Sequence, residues 1–272
     1  MVIYGWGVLE VPPPTHVLEA FGLSGGVVAT DSGDVWRAGS AALKRVEHHH
    51  VVEWVCGLLA NRGSEGGLRL SRPIATEDGR WIVDGWSAST WLAGDKDGSR
   101  WRQLIEAGDA FHDWLAGVER PAWVDQIDDP WRQADRAAWG EQPADVGPEF
   151  AQLIEELTSM RQPLMAPSQL VHGDLTGNVL FSPGLAPGII DLSLYWRPPD
   201  YAAAIVAVDC FEWEGVGPEV LDHVAELPDG EQLLIRAALF RIIRAAMIDW
   251  ADPELSVKVH RRTVAAISAR MS

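Results

Sequence analysis

The sequence predicts an α+β fold: a small antiparallel β-lobe with one helix, then a larger, mainly helical lobe carrying a short sheet, with a cleft between them. Three observations predict it. Up to residue 92, short runs of β-formers alternate with Gly- and Asp-containing turns. Beyond residue 100, apolar residues recur at helical spacing. Between the two, Gly94-Asp95-Lys96-Asp97-Gly98 has the composition of a linker, so the lobes are read as residues 1–93 and 94–272. A chain of 272 residues, 47% apolar and 22% charged, can bury a full core in such lobes.

Pro12-Pro13-Pro14 leads into a short helix, His16–Phe21, which Gly22 ends with a left-handed cap. Val27–Ala29, Val35–Ala38 and Ala41–Val46, separated by Asp31-Ser32-Gly33 and Gly39-Ser40, read as an antiparallel meander. His49–Ala60 places Val51, Val52, Val55, Leu58 and Leu59 on one helical face, and Asn61-Arg62-Gly63 stops it. Strands Pro73–Thr76, Trp81–Val83 and Trp86–Leu92 come next, joined by turns at Asp78-Gly79 and Asp84-Gly85. In the second lobe Trp101, Leu104, Ile105, Phe111 and Leu115 form one helical stripe. Residues 117–147 are rich in Trp and Pro and show no clean period. Pro148 opens the helix Glu149–Arg161, with Phe150, Leu153, Ile154, Leu157 and Met160 inward. A strand–loop–strand unit spans 170–193, and 200–213, 218–226, 229–250 and 254–270 read as helices.

The net charge of −17 argues against a nucleic-acid partner, whose phosphates it would repel, and can draw a cationic substrate by focusing the field. The commoner reason for such charge is a solvated acidic surface. The first ten residues have neither a basic region nor a long apolar run and are expected not to be a signal peptide. Apolar stretches such as Ala202–Val208 are too short to span a bilayer, so no membrane partner is expected and the location is read as cytoplasmic. Cys56 and Cys210 have no CxxC spacing and read as reduced, buried thiols.

The chemistry concentrates in residues 170–193. Leu-Val-His-Gly-Asp-Leu-Thr-Gly-Asn-Val-Leu-Phe is followed by a Pro/Gly turn and then Ile-Ile-Asp-Leu-Ser. Asp174 leaves a strand end on a loop, where an Asx turn alone would explain it. Asn178, four residues on, and Asp191, after the turn at 183–188, change that. Antiparallel strands 179–181 and 189–190 would return Asp191 beside Asn178, where both can hold one cation. A carboxylate to orient a hydroxyl, with an Asn and an Asp to hold Mg²⁺ on a nucleotide, is the minimum equipment of phosphoryl transfer.

His172-Gly173-Asp174-Leu175…Asn178 together with Ile190-Asp191-Leu192 resembles the aminoglycoside phosphotransferase and choline kinase group, small-molecule kinases of the bilobal protein-kinase-like fold. The resemblance implies that Asp174 is the catalytic base, that Asn178 and Asp191 are the metal ligands, and that His172 braces the loop. One departure stands out: the family usually has five residues from this Asp to its Asn, and here there are four. The resemblance further implies that residues 1–93 form a nucleotide-binding lobe with a hinge, and that 94–272 carry the catalytic loop and acceptor site. Lys44, in the third β-segment, then corresponds to the lysine that grips the α- and β-phosphates. Alternatively it lies on an exposed strand face, with Arg45 the inward residue. The helical Glu that pairs with such a lysine would be Glu53, although the helical wheel turns it to solvent. Gly25 and Gly26 of Leu23-Ser24-Gly25-Gly26 correspond to the phosphate-covering loop, with Asp31-Ser32-Gly33 as its rival. The adenine-binding hinge falls on Ser89–Gly94, with Thr90 and Trp91 at its centre and backbone groups making the bonds.

Other features carry less. Successive helical residues diverge by about 100°, so His48-His49-His50 cannot chelate one ion. The fourteen Trp residues most simply supply core area. Asp200, Asp209, Glu212 and Glu214 can line an acceptor pocket, though a solvated helix face, or an N-cap at Asp200, is the commoner explanation. Only eight residues separate Asp191 from the helix opening at Asp200, which leaves no room for a peptide-binding activation segment and points to a small hydroxyl acceptor.

The resulting expectation is a phosphotransferase that moves the γ-phosphoryl of Mg²⁺-ATP, or GTP, to a hydroxyl of an aminoglycoside-, amino sugar- or choline-like molecule. Two rivals remain: a catalytically silent nucleotide-binding or scaffold protein on the same fold, allowed by the absence of GxGxxG, and a phosphate hydrolase using the same metal site.

Overall fold

A computed structural model of the chain describes residues 11–31, 33–63, 67–248 and 253–271. The expectation for the first ten residues, Ser32 of the rival Gly turn, and the end of the 229–250 helix lie outside the described residues. By its internal contacts the chain divides into two compact units that do not follow chain order: residues up to Lys96 with Leu180–Ile190 form one, and Asp97–Val179 with Asp191 onward form the other.

In the first unit, α1 (Thr15–Ala20) starts after Pro14, and Gly22 at φ +67° lies just past its end. Strands β1 (Val28–Ala29), β2 (Val35–Ala38) and β3 (Ala41–Arg45) form the expected antiparallel meander. After α2 (His49–Asn61), β5 (Pro73–Ile74) and β6 (Ile82–Val83) both pair antiparallel with β7 (Trp86–Thr90), which lies against β3. Asp84 (φ +47°) and Gly85 (φ +74°) are both left-handed in the two-residue loop between β6 and β7, the geometry a tight hairpin needs. Val17 and Leu18 of α1, with Phe21 just after it, bury themselves against Leu43, Val83 and Trp86 of the sheet. Strand alternation puts Leu43 into this core and turns Lys44 away from it.

A second sheet in this unit runs β4 (Arg69–Leu70), β11 (Gly188–Ile189), β10 (Val179–Phe181), β8 (Asp95–Lys96). Two of its strands were not legible in the sequence. The 94–98 segment read as a linker contains β8, which pairs antiparallel with Leu180 and Phe181. Gly94 (φ +140°) is required there, because a Cβ would lie 2.8 Å from the Phe181 carbonyl oxygen. Strand β4 pairs parallel with β11, so the 179–190 hairpin does not stand alone, and Arg69 ties it down by donating to the carbonyls of Ala186 (2.7 Å) and Ala93 (2.9 Å).

The second unit is built on α6 (Asp200–Trp213) and α8 (Gly230–Ala246). Every residue of α6 from Tyr201 to Glu212 is buried, as is α8 from Leu233 to Ala245. Helices α3 (Trp101–Leu115), α4 (Pro130–Trp139), α5 (Pro148–Met160), α7 (Glu219–Ala225) and α9 (Pro253–Ser268) pack around that pair. All five residues of the expected Trp101–Leu115 stripe are buried. Helix α4 was hidden among the Trp and Pro residues, yet its caps are conventional: the Asp129 carboxylate accepts from Arg132 N–H (2.8 Å), Pro130 opens it, and Gly140 at φ +78° closes it. Strand β9 (Gln169–His172) pairs antiparallel with β12 (Leu194–Arg197), which the short apolar run before Pro198-Pro199 did not reveal. Among the described residues no helix is long and apolar enough to cross a membrane.

Candidate active site

Strand β9 ends at His172, and its pairing with β12 fixes the start of the loop that carries Asp174. Gly173 donates to the carbonyl of Ser193 at 2.9 Å, which holds the residues just after Asp191 against the residue just before Asp174. His172 is fully buried. Its Nδ1 accepts the Asp174 amide N–H (3.1 Å), while its own N–H donates to His112 Nε2 on α3 (3.1 Å). The two imidazoles thus brace the loop through backbone groups. Burial, and next the neighbouring His172, push the His112 imidazole down to about 3, so it stays neutral.

From Asp174 the chain turns back on itself. Asn178 N–H donates to Leu175 O at 2.9 Å, with Gly177 left-handed (φ +81°) inside the turn. The Asn178 amide nitrogen then donates to both the Asp174 carbonyl (2.7 Å) and Asp174 Oδ2 (3.1 Å). The four-residue interval is therefore enough to return Asn178 to Asp174. Because both partners of that nitrogen are acceptors, the network fixes the amide orientation and leaves Asn178 Oδ1 as an acceptor. Asp191 lies two residues beyond β11, exposed and left-handed at φ +49°, a conformation uncommon for any residue but glycine. An exposed carboxylate and a spare amide carbonyl are the hard oxygen donors that Mg²⁺ takes.

Arg241, missed at the sequence level, and Asp209, read there as an acceptor-pocket candidate, complete the Asp174 environment. Arg241 on α8 donates through Nη2 to Asp174 Oδ1 at 2.8 Å, and through Nε and Nη2 to the two carboxylate oxygens of Asp209 on α6 at 2.7 and 2.5 Å. Arg241 and Asp209 are 5% and 7% exposed, whereas the Asp174 side chain keeps 37% of its surface open. Burial raises the Asp209 carboxyl to about 6 even against the attraction of Arg241. The signal for both residues was present: each is a charge embedded in an apolar helix, Leu239-Phe240-Arg241-Ile242-Ile243 and Ala207-Val208-Asp209-Cys210-Phe211. Such charges must find each other on folding.

This corrects the acceptor-lining candidates. Asp209 is sealed against Arg241, and Glu212, fully buried, meets His260 Nδ1 at 2.9 Å, so neither is a solvated helix face nor a pocket wall. Asp200 is half-buried in the first turn of α6, where Pro199 holds the N-cap position. Its carboxyl is raised by burial. Glu214 is exposed.

In the first unit, Lys44 Nζ lies 3.5 Å from Asp34 Oδ2, both side chains being largely exposed. The carboxylate beside it is thus Asp34, before β2, and Glu53 lies on the exposed face of α2 as the helical wheel indicated. Arg45 is not an inward residue either: it is exposed, with its guanidinium 4.7 Å from the Trp86 ring centroid. Gly25 (φ +102°) and Gly26 are exposed between α1 and β1, with open space where a Cβ would be. The backbone N–H groups of Thr90 and Trp91 are already spent on the carbonyls of Arg72 (2.7 Å) and Ser40 (2.8 Å). His48 lies before α2, and the rings of His48 and His50 are 6.5 Å apart. Cys56 and Cys210 are buried free thiols, and burial pushes that of Cys56 up to about 11.

A family model described as the phosphotransferase enzyme family, APH, matches residues 37–228, most of the chain. The chain belongs to this family. The phosphotransferase has the family's α+β, protein-kinase-like fold and is a small-molecule kinase. An aminoglycoside phosphotransferase from Alicyclobacillus acidocaldarius superposes with a TM-score of 0.61 at 16% identity, over 97% of this chain and 96% of that one. The choline kinase LicA from Streptococcus pneumoniae superposes with a TM-score of 0.62 at 13% identity, over 93% and 97%. The amicoumacin kinase hAmiN, solved with AMP-PNP, Ca²⁺ and Ami, gives 0.58 at 14% identity, over 90% and 88%. No curated protein matches the phosphotransferase.

Proposed function

We propose that this phosphotransferase moves the γ-phosphoryl of ATP or GTP to a hydroxyl of a small molecule, with Asp174 as the base that accepts the hydroxyl proton. The observation that carries this is the Asp174 carboxylate: it is open to solvent on one side and anchored at Oδ1 by Arg241 and at Oδ2 by Asn178. Such a carboxylate can meet an incoming hydroxyl without first being oriented. Asn178 through Oδ1 and Asp191 through its carboxylate would hold Mg²⁺, and the left-handed backbone at Asp191 is the kind of local strain that functional sites retain. The chemistry supplied there would be positive charge to offset that of the nucleotide phosphates.

Lys44 is assigned to the α- and β-phosphates. Its exposed pairing with Asp34 is worth no more than about 1 kcal/mol, so a phosphate can displace it. Gly25 and Gly26 are assigned to the phosphate-covering loop, where the absence of a Cβ lets backbone approach the nucleotide. The adenine contact falls to the backbone of residues 92–94, since Thr90 and Trp91 have no N–H to give. Residues 1–93 are taken as the nucleotide-binding part and 94–272 as the part that carries the catalytic loop and binds acceptor. Glu53 is left without a role in this scheme.

The acceptors named for the relatives, an aminoglycoside, choline and amicoumacin, support a small hydroxyl compound here, and AMP-PNP in one of them supports a nucleotide triphosphate. A net charge of −17 favours cationic members of that class. A cytoplasmic location, where nucleotide triphosphate is supplied, goes with this function. The test is ADP release by the wild type and by Asp174→Ala across a panel of aminoglycosides, amino sugars and choline. Loss of roughly 10²–10⁴-fold with an unchanged circular dichroism spectrum is expected. Wild-type turnover in the variant would refute the assignment, and ADP release independent of any acceptor would favour hydrolysis.

A further inference from the structure

We infer that Arg241 is a positioning residue for Asp174, and that Asp209 holds Arg241 for that task. The inference rests on the reading of Asp174 as the base. Three elements of one unit meet here: the loop after β9 brings Asp174, α6 brings Asp209, and α8 brings Arg241. The paired contacts of Nε and Nη2 with Asp209 fix the plane of the guanidinium. The Trp131 and Phe240 rings, 5.9 and 5.1 Å from it, limit its movement further. The second hydrogen on Nη2 is then aimed at Asp174 Oδ1.

An arginine needed only to neutralise Asp209 would be satisfied by that pair, and the reach to Asp174 is additional. With Asn178 on Oδ2, the two oxygens of Asp174 are anchored from different sides, which sets the rotation of the carboxylate about its own bond. Each oxygen keeps lone-pair capacity on the open side, where a hydroxyl must arrive.

The experiment uses the full chain carrying Arg241→Met with Asp209→Leu, a double change that leaves neither buried charge alone, together with Arg241→Lys and, as a reference, Asp174→Asn. Circular dichroism and thermal melting establish that each variant is folded. Turnover is read as ADP release with choline and with an aminoglycoside as hydroxyl acceptors. For each variant kcat is separated from KM for the nucleotide and for the acceptor.

In the double variant kcat is expected to fall about 10–100-fold with KM for the nucleotide little changed, a split that a merely structural role would not give. Arg241→Lys keeps the charge without the fork and is expected to lose most of kcat with KM for the nucleotide unchanged. Wild-type kcat in a folded double variant, or a loss that falls on KM for the nucleotide and leaves kcat unchanged, would overturn the inference. Undiminished turnover in Asp174→Asn would instead overturn the role of the base itself.

Discussion

Replacing Gly173 by Ala tests how closely β12 controls the loop that carries Asp174. A Cβ on Gly173 would lie 2.4 Å from Cδ2 and 2.6 Å from Cε2 of Tyr195. Carbon atoms settle at about 3.5–4.0 Å, so a gap of more than about 1 Å has to open. Tyr195 cannot supply it. The residue is 5% exposed, pairs with Val171 across the sheet, and has its ring held by Phe240 at 5.8 Å and by the Arg132 guanidinium at 3.9 Å. The displacement therefore falls on the loop that carries Asp174. Overpacking of this kind costs about 1–3 kcal/mol, which for a chain of this size lowers Tm by roughly 2–4 °C per kcal/mol. The larger effect should be on rate, since a shift of about 1 Å in a reacting group can cost on the order of 10²-fold. Differential scanning fluorimetry and a coupled ADP-release assay measure the two. Adding Tyr195→Leu, which shortens the obstructing ring, should restore much of the rate, and a double-mutant cycle should give a coupling of about 1 kcal/mol or more. Wild-type Tm and kcat in Gly173→Ala, or a loss that Tyr195→Leu does not relieve, would show that the loop is not set by this contact.

Buried charge sets two further outcomes. Because His112 ionises near 3 when folded but near 6.5 when unfolded, the unfolded chain takes up a proton that the folded chain refuses across that interval. The stability His112 contributes is thus complete above about pH 6.5 and declines on acidification by up to about 1.4 kcal/mol per pH unit. Urea denaturation at pH 7.5 and 5 should show a shallower loss for His112→Gln than for the wild type, and parallel losses would exclude this origin. Arg197 contacts Asp135 through Nη2 at 2.6 Å and Glu141 through Nη1 at 2.6 Å, and the Asp135 carboxyl is raised by burial even so. Arg197→Met should cost about 3–5 kcal/mol by stranding that carboxylate, and adding Asp135→Asn should recover more than half. A cost below about 1 kcal/mol on chemical denaturation would contradict this.

Much of the candidate site is legible in the sequence. His172, Asp174, Asn178 and Asp191 lie within twenty residues of one another, and their positions result from two short strands and two turns. Local patterning also gave the first sheet: Val35–Ala38 and the Asp84-Gly85 turn appear as expected, because period-two alternation and a left-handed Asp-Gly pair are decided by neighbours in the chain. What failed was non-local. Strands β4, β8 and β12 are two to four residues long, and they exist only because a distant segment offers them hydrogen bonds. The joining of Leu180–Ile190 to the first unit has the same cause.

Residue type and short-range spacing carry the family, the α+β plan and the motif residues His172, Asp174, Asn178 and Asp191. Only the tertiary structure decided which charge serves which. It paired Lys44 with Asp34, and it sent Arg241, 67 residues beyond Asp174, to hold both that carboxylate and Asp209. The physical reason is that a buried charge takes its partner from whatever packing brings within about 3 Å, and distance along the chain places no limit on that choice.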